Sequence, residues 1–152
     1  MDLIAGFRSR EIVILEEEMR AACDRLLLAT DDGSYGQKGF VTNLLKEQIE
    51  AGAGYDRVIA IGPVPMMRAV CGVTKEYGIP TTVSLNPIMI DGTGMCGGCR
   101  VTVGGKVRFA CVDGPDFDGH EVDFEELMKR NGSYRDKEAE KKGHVCRLLG
   151  VE

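Results

Sequence analysis

The sequence has little of what marks membrane proteins and nucleic-acid-binding proteins. No apolar run approaches the roughly 18 residues that a membrane-spanning helix needs. With 19 Lys and Arg against 24 Asp and Glu, and a net charge of -5, there is no basic excess to bind nucleic acid or an anionic membrane. The N-terminus has no basic stretch followed by a long apolar core, so we expect no signal peptide and a cytoplasmic location.

The composition that remains is typical of a globular protein. The 152 residues, 43% hydrophobic and 28% charged, are enough for one compact domain, or for one small domain carrying an appendage. Six cysteines in a chain expected in the cytoplasm favour metal binding or redox chemistry over a disulfide framework.

Strand and helix patterns alternate over the first 87 residues. Apolar residues recur at helical spacing between short apolar runs, for example at Ile12, Leu15, Met19 and Ala22 after a candidate N-cap at Ser9. The apolar runs predict strands at residues 2–6, 25–30, 57–61 and 81–85. Because each crossover helix must pack back on the sheet, this order predicts an α/β fold with a parallel sheet covered on both faces.

A ligand site is expected beyond the carboxyl ends of these strands. Open parallel sheets bind ligands at that edge. The loops that follow the predicted strands there are residues 6–9, 30–39 and 62–65.

A second, smaller module follows a composition change after about residue 86, and we place the domain boundary between residues 87 and 88. Residues 91–119 hold 8 of the 20 glycines. Arg100–Val103, a Gly-Gly pair and Lys106–Phe109 predict a β-hairpin with a two-residue turn. The mixed-charge stretch from Arg135 to Lys142 predicts a solvated helix or tail rather than a site.

The hairpin is flanked by a cysteine pattern with metal-ligand spacing. Asp91, Cys96, Cys99 and Cys111 are spaced D-x4-C-x2-C-x11-C, and plant-type 2Fe-2S proteins use C-x4-C-x2-C followed by a distant cysteine. A glycine-rich loop can wrap a small cluster closely and point N–H groups at its sulfurs. The hairpin turn would bring Cys99 and Cys111 to the same end.

The same spacing is compatible with three alternatives to a cluster with these four ligands. Three cysteines and a carboxylate can hold a structural zinc ion. A thioredoxin-like pair at Cys96 and Cys99 would be expected at a helix start rather than in a glycine loop. Asp91 could be only a turn residue. The fourth ligand would then come from Cys146, His120 or His144. The remaining cysteines, Cys23 and Cys71, fall in helical patterns and are predicted to be buried small apolar residues.

Three segments together resemble one family of flavoproteins. They are residues 30–39 (TDDGSYGQKG), residues 61–67 (IGPVPMM) and residues 91–99 (DGTGMCGGC) with 111–115 (CVDGP). Together they are similar to the ferredoxin-NADP reductase-like electron-transfer subunits, such as those of dihydroorotate dehydrogenase and of NADH-dependent reduced ferredoxin:NADP oxidoreductase.

The resemblance implies an oxidoreductase subunit in which NAD(P)H passes hydride to FAD and electrons leave singly through a 2Fe-2S cluster to a larger partner subunit. It implies Asp91, Cys96, Cys99 and Cys111 as cluster ligands. The residues that it places at the nicotinamide nucleotide are Arg8, Ser9, Thr30, Asp31, Asp32, Gly33, Gly62, Pro63 and Met66.

The sequence departs from this family at its beginning. Full-length relatives first have an FAD-binding β-barrel and then the first, central strand of the nucleotide domain. We therefore expect residues 1–87 to be a partial NAD(P)-binding domain lacking its first strand, and residues 88–152 to be a glycine-rich β-hairpin cluster domain with a charged tail. FAD would bind only in the complete subunit. The open sheet would close on itself or recruit another chain, forming a homodimer when isolated.

Two other functions compete with this one. The first is a zinc-stabilised, non-catalytic interaction module on an α/β domain. The second is an NAD-binding regulatory domain with a vestigial cluster site. Metal content and nucleotide affinity distinguish the three.

Overall fold

The computed structural model describes residues 1–141. These residues divide between two compact units, one of residues 1–58 and 69–81 and the other of residues 59–68 and those from 82 onward. No helix in the described part of the chain is long and apolar enough to cross a membrane.

The first unit contains a three-stranded parallel sheet, β1-β2-β3. Its strands are β1 (Asp2–Phe7), β2 (Arg25–Thr30) and β3 (Gln37–Lys38). The helix α2 (Val41–Glu50) packs on β1 and β2 and buries Leu44 and Leu45. At Gly6 a Cβ atom would lie 2.6 Å from Val41 Cγ1, so only glycine allows β1 and α2 to approach this closely.

The first predicted helix is wrong in its N-terminal half. A 3-10 turn covers Arg10–Ile12, and the α-helix α1 covers only Glu16–Ala22. Val13 is extended and Leu15 has a φ of +55°, so the helical spacing of Ile12 and Leu15 does not reflect a continuous helix. Two β-branched residues, Val13 and Ile14, and three glutamates at the start of α1 favour this later start.

A second three-stranded sheet has the order β4-β5-β8. Its strands are β4 (Val58–Ile61), β5 (Thr81–Ser84) and β8 (Asp116–Asp118), and α3 (Val64–Glu76) lies between β4 and β5 in the chain. The strand β8 runs antiparallel to β5. The mixed α/β class is confirmed, but the described residues form two three-stranded sheets and a separate two-stranded sheet rather than a single parallel sheet.

The hairpin consists of β6 (Arg100–Val103) and β7 (Lys106–Phe109), paired antiparallel. Gly104 and Gly105 in the turn have φ of +58° and +70°, the left-handed values that a two-residue hairpin turn needs. The short helix α4 (Ala110–Asp113) follows directly.

Two further helices complete the described chain. The helix α5 (Phe124–Asn131) packs on β6 and buries Phe124 and Leu127. The Asp123 side chain caps its N-terminus by accepting a hydrogen bond from the Glu126 N–H (2.9 Å). The last helix, α6 (Arg135–Lys141), buries no residue, as the solvated charged stretch predicted there requires.

The strand β4 is an edge strand with an apolar exposed face. Among residues 1–141 its neighbour in the sheet is β5 alone. Ala60 is 5% exposed, whereas Ile59 and Ile61 are 66% and 70% exposed. An exposed apolar edge strand of this kind is a surface that further polypeptide can cover.

Candidate functional site

Cys99 and Cys111 are brought into contact by the hairpin. Cys99 precedes β6 and Cys111 lies in α4 after β7, so the pairing of Arg100 with Phe109 places both thiols at one end of the hairpin. Their sulfurs are hydrogen-bonded at 3.2 Å. Burial raises the pKa of Cys99, but hydrogen bonding with the backbone and side chain of Cys111 outweighs burial and lowers that pKa overall. The same contact raises the pKa of Cys111. The pair therefore favours one thiolate, the form that binds metals.

Asp91 and Cys96 form a second pair in the glycine-rich loop. The Asp91 Oδ1 atom accepts a hydrogen bond from the Thr93 N–H at 2.9 Å. This bond chiefly, with a further one from the Cys96 thiol, lowers the pKa of Asp91 against a desolvation cost. Both side chains are exposed. Asp91 thus offers an ionised carboxylate within hydrogen-bond reach of the Cys96 sulfur.

Backbone amides of the loop face the sulfurs. The Gly98 N–H donates to Cys96 Sγ at 3.4 Å. A hydrogen bond from the Gly94 backbone acts on Cys111 and favours its thiolate. Gly94 and Gly97 have φ of +79° and +67°, which a side chain would strain. Amides turned toward sulfur stabilise negative charge there.

The four predicted ligands thus lie in two pairs rather than in one sphere. Among residues 1–141, no three His, Cys, Asp or Glu side chains converge as they would around a single metal ion. A tetrahedral zinc ion needs its ligands in one coordination sphere, whereas a 2Fe-2S cluster distributes four ligands over two irons. The donor set of three sulfurs and one ionised carboxylate, arranged in two pairs, fits a two-iron cluster better than it fits a single zinc ion.

The alternative fourth ligands are Cys146, His120 and His144. Cys146 and His144 lie outside the described residues. The His120 N–H donates to Asp118 Oδ1 at 2.9 Å. Of the two remaining cysteines, Cys71 is buried in α3, and Cys23 donates its thiol hydrogen to the Met19 carbonyl at 3.0 Å.

In the first unit the loops after β1 and β2 lie side by side. The Asp31 N–H donates to the Phe7 carbonyl (3.0 Å), and the Asp32 N–H donates to the Arg8 carbonyl (3.3 Å). These bonds bring Arg8 and Ser9 next to residues 30–33, at the carboxyl ends of two parallel strands.

The side chains of this loop pair stabilise its shape. Thr30, fully buried, donates through Oγ1 to the Tyr35 carbonyl (2.6 Å) and accepts from the Tyr35 N–H (3.1 Å). Hydrogen bonds from the hydroxyl and the N–H of Ser34 lower the pKa of Asp32. The Arg10 guanidinium lies 5.3 Å from the centre of the Tyr35 ring, a cation–π contact that sequence patterns do not predict.

The segment with Gly62, Pro63 and Met66 belongs to the second unit. Gly62 has a φ of +153°, and a Cβ atom there would lie 2.6 Å from Met66 Cε. The Pro63 carbonyl accepts from the Met66 N–H (2.9 Å) at the start of α3. The predicted nucleotide-binding residues therefore divide between the two units.

The loop and the hairpin match a family of known proteins. Residues 86–123 match the family described as the iron-sulfur cluster binding domain of dihydroorotate dehydrogenase B. This segment contains Asp91, Cys96, Cys99 and Cys111. A Thermotoga maritima protein named as a homolog of the dihydroorotate dehydrogenase B (NAD(+)) electron transfer subunit is 48% identical over 135 residues, 89% of this chain.

The chain is similar, over most of its own length, to proteins named dihydroorotate dehydrogenase B electron transfer subunits. An uncharacterized protein from the adh 3' region of Clostridium beijerinckii is 55% identical over 91% of the chain. A solved structure of NADH-dependent reduced ferredoxin-NADP oxidoreductase, described in connection with flavin-based electron bifurcation, superposes with a TM-score of 0.83 and 44% identity over 97% of the chain.

The two relatives and the solved chain are each about twice as long as the segment that this chain matches. The chain spans 47% of the T. maritima protein and of the C. beijerinckii protein, and 52% of the solved chain.

Proposed function

We propose that this chain relays single electrons through a 2Fe-2S cluster held by Asp91, Cys96, Cys99 and Cys111. The observation that carries the proposal is their arrangement in two pairs, with the Cys99 and Cys111 sulfurs 3.2 Å apart, inside a segment that matches an iron-sulfur binding family. When bound, such a cluster takes up and releases one electron at a time. The protein's own part is to supply three thiolates and a carboxylate, with loop amides turned toward the sulfurs.

The complete subunit would connect this site to a pyridine nucleotide and a flavin. We propose that residues 1–87 form part of an NAD(P)H-binding domain, with Arg8 and Ser9 beside residues 30–33 at one edge. Gly62, Pro63 and Met66 are proposed as further nucleotide-binding residues. FAD would be held by polypeptide that the longer homologues have in addition, and a larger partner subunit would exchange electrons with the cluster. The chain alone would then not catalyse electron transfer from NAD(P)H through FAD to the partner.

The open strand edges are proposed to be the place where that additional polypeptide joins. Within residues 1–141, β1 is bonded to β2 alone and β4 to β5 alone. Each therefore has one row of backbone N–H and C=O groups without a strand partner. In the isolated chain a second copy would take this place. A monomeric chain that is purified with stoichiometric FAD would contradict both statements.

The first test is a visible spectrum of the anaerobically purified chain, with iron, sulfide and zinc measured on the same sample. We expect broad visible absorbance that bleaches with dithionite and about two irons per chain, as a 2Fe-2S cluster requires. A colourless sample with about one zinc per chain would contradict the proposal and establish a structural metal site.

Isothermal titration with NADH and NADPH tests the nucleotide part separately. We expect binding of at least one of the two nucleotides, because the loops with Arg8, Ser9 and residues 30–33 lie together at the carboxyl ends of two parallel strands. Absence of heat with either nucleotide, for a sample that contains the cluster, would restrict the function to electron transfer.

Asp91→Cys tests the carboxylate as a ligand. Since a thiolate replaces an oxygen donor, we expect the cluster to be retained with a changed spectrum and reduction potential. Asp91→Ala should lower the iron content. If Asp91→Cys leaves both spectrum and potential unchanged, Asp91 is a turn residue and the fourth ligand lies elsewhere.

A further inference from the structure

The side chain of Arg130 reaches the cluster loop from the end of α5. Its Nη2 atom lies 3.4 Å from the carbonyl oxygen of Gly97 and 3.4 Å from that of Gly98. These two residues separate Cys96 from Cys99. An arginine 31 residues beyond Cys99 in the sequence is thus directly bonded to the loop between two proposed ligands.

The peptide unit between Gly97 and Gly98 connects Arg130 to a sulfur. Its carbonyl oxygen accepts from Arg130, and its N–H donates to Cys96 Sγ at 3.4 Å. In a trans peptide these two groups point in opposite directions. A cation at the oxygen therefore polarises the N–H and strengthens its bond to the sulfur.

The position of Arg130 is fixed by the core. Leu127, one turn earlier on α5, is 1% exposed, and Asp123 caps the start of the helix. The Thr102 hydroxyl of β6 donates to Glu126 Oε2 at 2.5 Å, which attaches the same helix to the hairpin. Arg130 also lines a pocket of about 200 Å³ that includes Ile90 and Tyr134.

Arg130 differs from some other arginines of residues 1–141 in having no carboxylate partner among them. Arg20, Arg25 and Arg68 each form an ion pair with an acidic side chain. For Arg130, residues 1–141 supply no such ion pair. Its hydrogen-bond partners there are the two loop carbonyls.

We infer that Arg130 is a positioning residue that fixes the cluster loop and raises the reduction potential of the bound cluster. The inference rests on the proposed function. Two ferric ions, two sulfides, three thiolates and one carboxylate sum to a charge of about -2, and one added electron makes it about -3, with no bond formed or broken. A nearby cation stabilises the reduced cluster, with its charge of about -3, more than the oxidised cluster. The cation therefore favours reduction.

The test compares reduction potentials of Arg130→Gln, Arg130→Lys and Lys129→Gln with the unchanged chain, by dithionite titration with mediators followed in the visible spectrum. Lys129 is the matched control, since it is the neighbouring cation on α5 and its side chain is exposed. At a fixed ambient potential, Arg130→Gln should lower the ratio of reduced to oxidised cluster about three- to tenfold, about 30–60 mV for one electron. Arg130→Lys should lower it by less, and Lys129→Gln should leave it unchanged.

Several outcomes would overturn the inference. If Arg130→Gln and Lys129→Gln have equal reduction potentials, the charge of Arg130 has no specific effect on the cluster. The same conclusion follows if the potential of Arg130→Lys is as low as that of Arg130→Gln. If anaerobic reconstitution with iron and sulfide loads the unchanged chain but not Arg130→Gln, the residue is only structural. In the cluster-free chain, Arg130→Gln should speed amide hydrogen exchange of residues 97–99, and unchanged exchange would exclude the positioning role.

These results are distinguishable from failure of the proposed function. If the unchanged chain binds no iron, the electron-transfer proposal fails. If it binds two irons and its potential does not respond to Arg130, only the inference about Arg130 fails.

Discussion

Replacing Cys111 by serine is expected to abolish visible absorbance and most of the bound iron. The Cys111 sulfur lies 3.2 Å from that of Cys99 and receives a hydrogen bond from the Gly94 backbone, so it is held where a ligand is needed. Changes to residues that only support a metal site already cost about 10- to 100-fold in metal affinity. Loss of a ligand should cost at least as much. Iron and sulfide per chain after anaerobic reconstitution are the measurement.

Cys23→Ser provides the matched control. Cys23 is also half-buried, and its thiol donates to the Met19 carbonyl, a bond that a serine hydroxyl can replace. This variant should hold as much iron as the unchanged chain. Full iron content in Cys111→Ser would exclude Cys111 as a ligand. Equal loss in both variants, with reduced helical content, would indicate general destabilisation instead.

The parts of this site that the sequence predicts are those built from neighbouring residues. The spacing of Cys96 and Cys99, the glycines around them and the Gly104-Gly105 turn are local signals, and the structure has a hairpin over the predicted residues. Such signals depend on backbone geometry within a few residues, which tertiary packing seldom changes.

Contacts between distant segments could not be predicted in the same way. In the sequence, Arg130 is one of several charged residues in an amphipathic helical pattern. Its contact with Gly97 depends on the packing of α5 on β6, which the pattern does not predict. The three residues of β8 are too few for their alternation to predict a strand, and their conformation depends on pairing with β5. The late start of α1 depends on the left-handed Leu15, which helical spacing of apolar residues cannot reveal.

The double variant Ile59→Lys with Ile61→Lys is expected to abolish self-association of the isolated chain. Both side chains are about two-thirds exposed on the edge strand β4, so a second copy can cover them and pair with the strand. Lysines on this edge oppose such pairing. Since neither side chain is buried, the free energy of unfolding should change by about 0.5 kcal/mol or less per substitution. Sedimentation velocity over a range of concentrations measures the association.

Ile14→Lys separates the edge strand from exposed apolar surface in general. Ile14 is 65% exposed, close to the values for Ile59 and Ile61, but it lies outside the strands. It should leave the concentration dependence of the sedimentation coefficient unchanged. If Ile14→Lys reduces association as much as the double variant does, the association is unspecific and does not depend on the edge of β4. If the double variant alone becomes monomeric, the same substitutions in a full-length homologue should weaken its fold, since there the strand edge would be covered within one chain.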